Sequence, residues 1–569
     1  MNRHVREPAP LREDRLRYDL LVEKDIEIPV RDGARLKADI FRPKVGGRFP
    51  AILNIGGYRK DKLWVPPPDL EEKANPYMNW EAVNPLWWIP RGYAAVRIDT
   101  RGSGKSPGTF DPWSRQEAID FYDCIEWVAK QKWCSGRVGL SGISYFAMNQ
   151  WLVAGLQPPS LKAIIPWEGA ADMYRDLAYH GGIFCLGFVG NWFNNHMAHH
   201  LFGKPQEHNP DAFSNNWLWQ YMRHNLDTGW FDQRRADWSR IEVPLLTAGN
   251  WSGMGLHLRG NTEGYVRAAS RHKKLRIHAG THYHPFYSED GRRDQLRFFD
   301  HWLKGEKNGV TEEPPVKLLI RKGGKGNYEW RQEKEWPLKR TRWTRFYLVP
   351  GKVTTRGRDP AEGRLSTAAP KRQGSVTYSA AGMSKAGIAS ASWTSTVLPG
   401  SLPRLGVSFE TEAFKQDLEL TGPVVLTLWA SSMTEDMDIF ATLRNLDPGG
   451  QDVWEVGQQQ QPVPVAKGWL RASHRGLDRV LTRPYRPYHA HDQRAWLKKG
   501  AVVRLDVEIW PTCMVFNMGH RMRLDIQPRD GVGSAPYTHY SADYNVGDNT
   551  IYTGGSTASH LLLPVIPAK

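Results

Sequence analysis

Residues 137–150 read RVGLSGISYFAMNQ, and this stretch decides the fold. Its first part is a short apolar run typical of a buried strand, and its last part has apolar residues at helical spacing. Gly142-Ile143-Ser144-Tyr145 stands between the two. A serine on a tight strand-to-helix turn projects its hydroxyl group, and a small residue two positions earlier avoids a clash. The stretch therefore predicts a nucleophile elbow with Ser144 as the candidate nucleophile.

The elbow motif departs from the strict G-x-S-x-G pattern. Phe146 stands where the last glycine would be, and Ala147 follows it. A serine after a strand can also simply cap a helix. Ser141, which is followed by Gly142, is the competing candidate, but it lies closer to the strand.

Short apolar runs and helical patterns alternate on both sides of the elbow. Alternating strands and helices predict an α/β fold with a mostly parallel sheet that is covered on both faces. Between about residues 170 and 240 the chain is rich in Trp, His, Asn and Phe, which predicts a helical cap insertion. The predicted strands are 50–55, 93–98, 137–140, 163–166, 244–248 and 274–278, and the predicted helices are 116–131 and 294–304.

The chain has a different character after about residue 310. Residues 504–510 and 521–527 alternate apolar and polar side chains, which is typical of strands that bury one face. Strands of this kind between Gly/Pro turns predict a β-sandwich of two antiparallel sheets. We expect an α/β domain over residues 1–310 and an all-β domain over residues 311–569. The polar residues 354–385 are expected to form an extended connection.

Several motifs in order resemble the cocaine-esterase-like and X-Pro dipeptidyl-peptidase-like (CocE/NonD) α/β-hydrolases. The elbow, Gly142-Ile-Ser144-Tyr145-Phe-Ala147, is similar to the family's G-x-S-Y-x-G, with Ala for the last Gly. RGYAAVRIDTRGSGKSPGTF (91–110), GGYRKDK (56–62) and FFDHWLKG (298–305) are similar to further family segments. The resemblance implies a serine hydrolase with a C-terminal jelly-roll domain and a catalytic triad. It also implies an oxyanion hole made by the Tyr58 hydroxyl and the backbone N–H of Tyr145.

The general base is expected in LRIHAGTHYHPFY, residues 275–287. The family pattern Gly-Pro-Trp-x-His places its histidine four residues after the glycine, and counting from Gly280 gives His284. His282 stands at the family's Trp position and is the alternative. His278 falls within a predicted strand and is expected to pack there.

The acid of the triad is where this chain departs from the family pattern. The family's Gly-Trp-Tyr-Asp-Gly loop reads GNWSG here, so Ser252 occupies the Asp position. A hydroxyl cannot supply the charge that stabilises an imidazolium. Glu168 is our candidate, because it follows the strand next to the nucleophile strand, whose end faces the same crevice. Asp172 and Asp290 are the alternatives.

The 569 residues carry a formal net charge of +16, but Lys and Arg are spread along the chain. We therefore expect no nucleic-acid partner. The four cysteines form no CxxC pair, and neither a signal peptide nor a membrane span is apparent, which favours a reduced, cytoplasmic chain without a membrane partner. No cofactor and no metal site is expected, and a homo-oligomer is left open.

The motifs together predict a serine hydrolase that cleaves a small-molecule carboxylic ester or amide through an acyl-enzyme. An esterase is preferred, because no acidic anchor for a peptide's free amine can be placed. An X-Pro dipeptidyl-peptidase is one alternative. A catalytically inactive hydrolase fold that serves as a binding module is the other, because the usual Asp is missing.

Overall fold

The computed structural model describes residues 18–68, 70–201, 215–324, 326–353, 361–380, 406–531, 536–539 and 545–568. Most of the described strands join two large sheets. The strands of the first sheet are β1 (Leu20–Pro29), β2 (Arg35–Pro43), β3 (Phe49–Gly56), β4 (Ala94–Asp99), β5 (Cys134–Ile143), β6 (Leu161–Trp167), β9 (Leu245–Asn250), β10 (Lys273–His278), β11 (Val316–Arg321) and β12 (Tyr328–Glu333).

The described α-helices are short, and the longest has 15 residues. They are α1 (Pro85–Trp88), α2 (Arg115–Ala129), α3 (Tyr145–Ala154), α4 (Leu186–Asn191), α5 (Ala198–Leu201), α6 (Trp217–Arg223), α7 (Leu258–Arg267), α8 (His284–Tyr287) and α9 (Glu289–Phe299). Single 3₁₀ turns lie at Ile89–Arg91, Asp232–Arg234, Trp238–Arg240, Ala472–His474 and Gly555–Thr557, and π-helical turns lie at Met173–Ala178, Trp192–Met197 and Asp300–Lys304.

The first sheet runs in the order β1-β2-β4-β3-β5-β6-β9-β10-β11-β12. The seven strands from β4 to β11 are mutually parallel, and antiparallel strands flank them at both edges. Helices α2 and α3 pack on one face, and α9 with the π-helical turn after it packs on the other. The predicted α/β fold is confirmed, and β5 and β6 place their carboxyl ends side by side in the middle of the sheet.

The insertion after β6 contains α4, α5, α6 and two of the π-helical turns. It also holds a two-stranded hairpin of β7 (Tyr179–His180) and β8 (Ile183–Phe184), which the sequence did not predict. Its aromatic residues are largely buried: Trp192 and Trp217 pack with their ring centroids 4.7 Å apart. The buried Trp residues of this segment therefore belong to the same hydrophobic cluster as α2, α3 and one face of the first sheet.

The second large sheet is all-β and contains 11 of the described strands. They are β13 (Arg342–Val353), β14 (Ala361–Ser366), β15 (Gly374–Ser379), β16 (Val407–Glu410), β17 (Leu418–Ser432), β18 (Asp438–Leu446), β21 (Ala466–Arg471), β22 (Val503–Phe516), β23 (Arg521–Gln527), β24 (Asp548–Thr553) and β25 (His560–Ile566). The short strands β19 (Glu455–Val456) and β20 (Pro462–Val463) form a separate hairpin. Strand β25 pairs with both β13 and β17, so the sheet closes on itself.

The first sheet extends past the expected boundary at residue 310. Strand β11 pairs in parallel with β10, and β12 pairs with β11, so residues 316–333 belong to the first sheet. Residues 361–366 and 374–379 are strands β14 and β15, so this described part of 354–385 is not the expected extended connection. Within the described ranges, no helix has the length and apolar character needed to cross a bilayer.

Candidate active site

Ser144 lies on a sharp turn between β5 and α3. Its backbone has φ +57°, a left-handed conformation that is uncommon for a residue other than glycine and often marks a functional site. Its N–H is 3.1 Å from the carbonyl oxygens of both Trp167 and Glu168. Ala147 packs against Gly169, since a Cβ on Gly169 would lie 2.6 Å from the Ala147 Cβ. The missing glycine of the motif is therefore compensated by a glycine on the neighbouring segment.

Tyr58 lies beside Ser144, and Tyr145 is the next residue in the chain. The Tyr58 hydroxyl accepts a hydrogen bond of 2.9 Å from the Trp192 indole N–H and is also hydrogen-bonded to Ser144. Burial, followed by the charge of Glu81, raises the pKa of Tyr58 well above its usual value, so the phenol keeps its proton and can donate it. Tyr145 is the first residue of α3, so its N–H has no acceptor within the helix. Its side-chain hydroxyl donates instead to Glu117 at 2.6 Å.

His282 is the histidine of the 275–287 segment that lines the same cavity as Ser144. Its Nδ1 is 2.6 Å from Glu168 Oε2, and both His282 and Ser144 line the same cavity. His257 stacks on the His282 ring at a centroid distance of 5.5 Å. A histidine that is held by a carboxylate through Nδ1 and has Nε2 directed elsewhere is the arrangement of a base in a catalytic triad.

Glu168 is fully buried and accepts hydrogen bonds from several side chains. Besides His282 these are His278 Nε2 at 2.7 Å, Asn250 Nδ2 at 3.1 Å and Gln458 Nε2. Burial alone would raise the pKa of Glu168. The charge of His282, with the hydrogen bonds from His278 and His282, outweighs burial and lowers this pKa, so the carboxylate is ionised.

The other sequence-predicted candidates lie away from this pair. His284 is the first residue of α8 and is not among the described residues that line the cavity, so the geometry favours the alternative, His282, over His284. Asp172 pairs with Arg175 at 2.8 Å, and Asp290 pairs with Arg276 at 2.6 Å. Ser141 is buried within β5.

Two residues at strand ends bear on the acid of the expected triad. Ser252, at the family's Asp position, is buried, and its hydroxyl finds no hydrogen-bond partner among the described residues. Glu168 follows β6, the strand beside the nucleophile strand, and its positive φ of +45° marks a strained turn there. In the sheet, β9 lies between β6 and β10. Glu168, which follows β6, therefore contacts His282, which follows β10, across the end of β9.

Glu81 is a site residue that sequence analysis missed. Its carboxylate is buried and lies 2.9 Å from His282 Nε2, the nitrogen that a triad presents to its serine. Its carbonyl oxygen accepts the N–H of Ile143 at 3.0 Å, and its own φ is +57°. An Asn-Trp-Glu-Ala stretch between two elements carries no pattern for this role, so only the three-dimensional structure could reveal it.

The cavity that contains these groups has a volume of about 300 Å³. Its walls come from the first sheet's loops, from the insertion and from the all-β part of the chain. Aromatic side chains dominate the lining, which suits an apolar acyl or alcohol group. The lining residues are Tyr58, Trp80, Glu81, Ser144, Phe188, Asn191, Trp192, His196, Leu256, His257, His282, Tyr283, Gln458, Gln459, Pro536 and Tyr537.

Comparison with known families agrees with this architecture. Residues 32–284 match the S15 family, described as X-Pro dipeptidyl-peptidase, and residues 308–562 match the X-Pro dipeptidyl-peptidase C-terminal non-catalytic domain. The chain is 25% identical to a cocaine esterase from Rhodococcus sp., over 96% of this chain and 98% of that protein. It is 23% identical to a Xaa-Pro dipeptidyl-peptidase from Lactobacillus delbrueckii subsp. lactis, over 80% of this chain and 62% of that one.

A solved structure gives a closer likeness over the whole chain. The crystal structure of a CocE/NonD family hydrolase from Staphylococcus aureus superposes with a TM-score of 0.83 at 32% identity, covering 96% of this chain and 94% of the other. Both chains are matched almost end to end, so the likeness includes the α/β part, the insertion and the all-β part. The chain belongs to the CocE/NonD family of hydrolases.

Proposed function

We propose that this serine hydrolase cleaves carboxylic esters through an acyl-enzyme, with Ser144 as nucleophile, His282 as general base and Glu168 as the acid of the triad. The observation that carries the proposal is the contact of 2.6 Å between Glu168 and His282 in the cavity that Ser144 lines. Nucleophile, base and acid then come from the ends of β5, β10 and β6 of one parallel sheet.

The reaction follows from these positions. Ser144 Oγ attacks the carbonyl carbon while His282 Nε2 takes its proton, and Glu168 stabilises the imidazolium that results. The Tyr58 hydroxyl and the Tyr145 N–H donate hydrogen bonds to the oxygen that becomes negative. His282 then gives its proton to the leaving alcohol. Water attacks the acyl-enzyme with the same base, and Ser144 is regenerated.

The contact between Glu81 and His282 must break before Ser144 attacks the carbonyl carbon. The His282 Nε2 contact of 2.9 Å is with Glu81, so the base has to give its Nε2 proton to Glu81, whose pKa is raised by burial, and then turn that nitrogen to Ser144. Catalytic hydrogen bonds commonly tighten only when substrate is bound. We infer that Glu81 holds the base in the resting enzyme and releases it as substrate enters.

The ester preference rests on the charge of the cavity. A dipeptidyl-peptidase has to bind the free amine of its substrate, and a carboxylate is suited to this. Among the described residues that line the cavity, Glu81 is the only carboxylate, and it is bound to His282. X-Pro dipeptidyl-peptidase activity is the second candidate, supported by the S15 match.

The finer architecture belongs to the same proposal. We infer that the insertion between about residues 170 and 240 is a cap over the active site, because Phe188 and Trp192 line the cavity. We infer that the closed all-β sheet is a jelly roll. The partner we expect is a small-molecule ester, and no cofactor takes part in the proposed steps.

The first experiment compares Ser144→Ala, His282→Gln and His284→Gln with the unaltered enzyme on p-nitrophenyl acetate and on a Gly-Pro anilide. We expect Ser144→Ala and His282→Gln to lose about 10⁴-fold or more in kcat. His284→Gln is the matched control, two residues from the base, and should keep most of the activity. Turnover of the acetate well above that of the anilide is expected.

Labelling with a fluorophosphonate probe tests the nucleophile separately from the substrate. The unaltered enzyme should be labelled at Ser144, and Ser144→Ala should not. Absence of labelling and of turnover would instead favour an inactive binding module. A loss of activity in His284→Gln with retention in His282→Gln would reassign the base.

A further inference from the structure

A second cluster of titratable side chains lies outside the active site. It consists of His180 on β7, Cys185 before α4 and His539 from the all-β part of the chain. His180 and Cys185 are buried, and the side chain of His539 is inaccessible. The nearest nitrogen and sulfur atoms of the three residues all lie within 4.8 Å of one another.

The hydrogen bonds of the two rings define which nitrogens carry protons. His180 Nε2 is 3.2 Å from the carbonyl oxygen of Asp176, so this nitrogen must be the donor. His539 Nδ1 is 3.1 Å from the Asp530 carboxylate and donates likewise. His180 Nδ1 and His539 Nε2 then face each other across 2.7 Å, each with a lone pair. Two lone pairs at this distance repel each other. The two nitrogens must therefore share a cation, which is either a proton or a metal ion.

We propose that His180, His539 and Cys185 bind a zinc ion that links the insertion to the all-β part of the chain. Imidazole nitrogen and thiolate sulfur are donors that bind Zn²⁺ in proteins, and with three of them a water molecule takes the fourth tetrahedral position. The outer nitrogens are held as in known zinc sites, one by a carbonyl and one by a carboxylate. No sequence motif predicts the site, because its third ligand comes from the far end of the chain.

Only small movements are needed for coordination. Zinc–nitrogen bonds of about 2.0–2.1 Å in a tetrahedral site place two nitrogens about 3.3 Å apart, somewhat farther than the rings stand here. The Cys185 sulfur must approach by about 1 Å to lie at the usual zinc–sulfur distance. Cys185 is at the end of a hairpin and the N-terminus of α4, so its side chain can turn without moving a sheet strand.

A proton is the competing cation. His539 could carry two protons, giving one to Asp530 and one to His180, in an ion pair without metal. Lys467 is the further cationic group here. Burial lowers its pKa to about 7, while the charge of Asp530 acts to raise it.

The site lies behind the wall of the active-site cavity. Phe188 follows Cys185 by three residues, and Tyr537 precedes His539 by two. The rings of Phe188 and Tyr537 pack with their centroids 5.5 Å apart in the cavity lining. The backbone N–H of Gly187 also donates to the carbonyl of Thr538 at 2.9 Å. A bound zinc would therefore fix the two segments that carry these aromatic side chains.

The test uses the full-length chain without a histidine tag, stripped with a chelator and titrated with Zn²⁺ in a calorimeter. We expect one zinc per chain. Cys185→Ser should weaken binding by about 100-fold, and Asp530→Asn by about 10-fold, because outer partners of ligating histidines typically contribute that much. Cys124→Ser, which removes another buried thiol, is the matched control and should bind as the unaltered chain does.

The absorption spectrum of bound Co²⁺ reports thiolate coordination directly and does not depend on the stability of the folded protein. Co²⁺ should produce a thiolate-to-metal absorption band in the unaltered chain and in Asp530→Asn, and none in Cys185→Ser. If Cys185→Ser fails to fold, His180→Gln replaces it in the calorimeter and should lose zinc. Failure of the unaltered chain to take up one equivalent of zinc would overturn the proposal in favour of the shared proton. Equal zinc binding in all variants would overturn it as well.

Discussion

His282 lies between two buried carboxylates, one on each ring nitrogen. Burial opposes its positive charge, but the charge and hydrogen bond of Glu168, together with those of Glu81, raise the pKa of His282 to about 10. His257 on its face and His278 on the far side of Glu168 are the other histidines near it, and Tyr58 and Tyr283 face Glu81. His282 is therefore protonated in the resting enzyme.

Replacing Glu81 by Gln should make His282 easier to deprotonate. Loss of one negative neighbour lowers the pKa of the base, so the acid limb of kcat/KM should move to lower pH, by about 1–2 units. Activity at the acidic end of the profile should rise relative to the unaltered enzyme. Glu72→Gln is the control, because Glu72 is a buried carboxylate that is hydrogen-bonded to Asn84 rather than to His282. If the acid limb of the kcat/KM profile stays at the same pH, the charge of Glu81 does not affect the pKa of His282.

The residues near the reacting serine were partly accessible from sequence. An elbow motif, an aligned segment and a strand end made Ser144, Tyr58 and Glu168 candidates. The base was left between His284, from the count that starts at Gly280, and the alternative His282, because a count of residues does not define the shape of a loop. Here the Asn250 side chain holds the carbonyl of Gly280 at 2.9 Å, and the loop that follows brings His282 to Glu168 instead of His284.

The turn between β5 and α3 depends on close packing of small residues. A Cβ added at Gly142 would lie 2.5 Å from the Cβ of Phe146, and neither atom can swing away. We expect Gly142→Ala to cost about 1–3 kcal/mol in the free energy of unfolding, and to lower kcat by displacing Ser144. Urea unfolding and p-nitrophenyl acetate turnover measure the two effects. Gly46→Ala, where the added methyl group meets nothing within 4 Å, should leave both unchanged.

Elements with strong local patterns were predicted well, and those formed by distant pairing were not. The helix expected at 116–131 is α2, Arg115–Ala129, where Ser114 caps the first turn and Ile125 and Val128 are buried. Strands β14 and β15 lie in a polar stretch that gives no strand signal. They form because β14 pairs with the preceding strand β13 and with β16, and β15 pairs with the distant strand β24, so their stability comes from strand pairing and not from the local sequence.

Residues from the all-β part of the chain contact Glu168 and His282. Gln458, from the all-β part, donates to Glu168, and its carbonyl oxygen accepts the His282 N–H at 3.0 Å. Tyr537 in turn donates to the Gln458 side chain at 3.0 Å. Glu168 and Gln458 are 290 residues apart, so no sequence pattern could have joined them. A change of composition predicted two domains, but no sequence pattern predicted that the all-β part would contact Glu168 and His282.

Gln458→Ala tests this dependence. The variant removes a hydrogen bond to a buried charge, which is worth about 1.5–3 kcal/mol, so kcat/KM should fall by about 10- to 100-fold. Gln459→Ala is the control at the neighbouring position, where the side chain lines the cavity without a contact to Glu168. Steady-state kinetics on one ester decide the question. Equal activity of the two variants would mean that the first domain holds Glu168 unaided.

The position of Glu168 has a consequence for how related genomes are interpreted. The family pattern has an aspartate after a late strand, and Ser252 stands at that position here. A buried carboxylate on the strand next to the nucleophile contacts the His282 imidazole. On the triad that we propose, a survey that counts a chain as a pseudoenzyme when one alignment column lacks its acid would discard this protein.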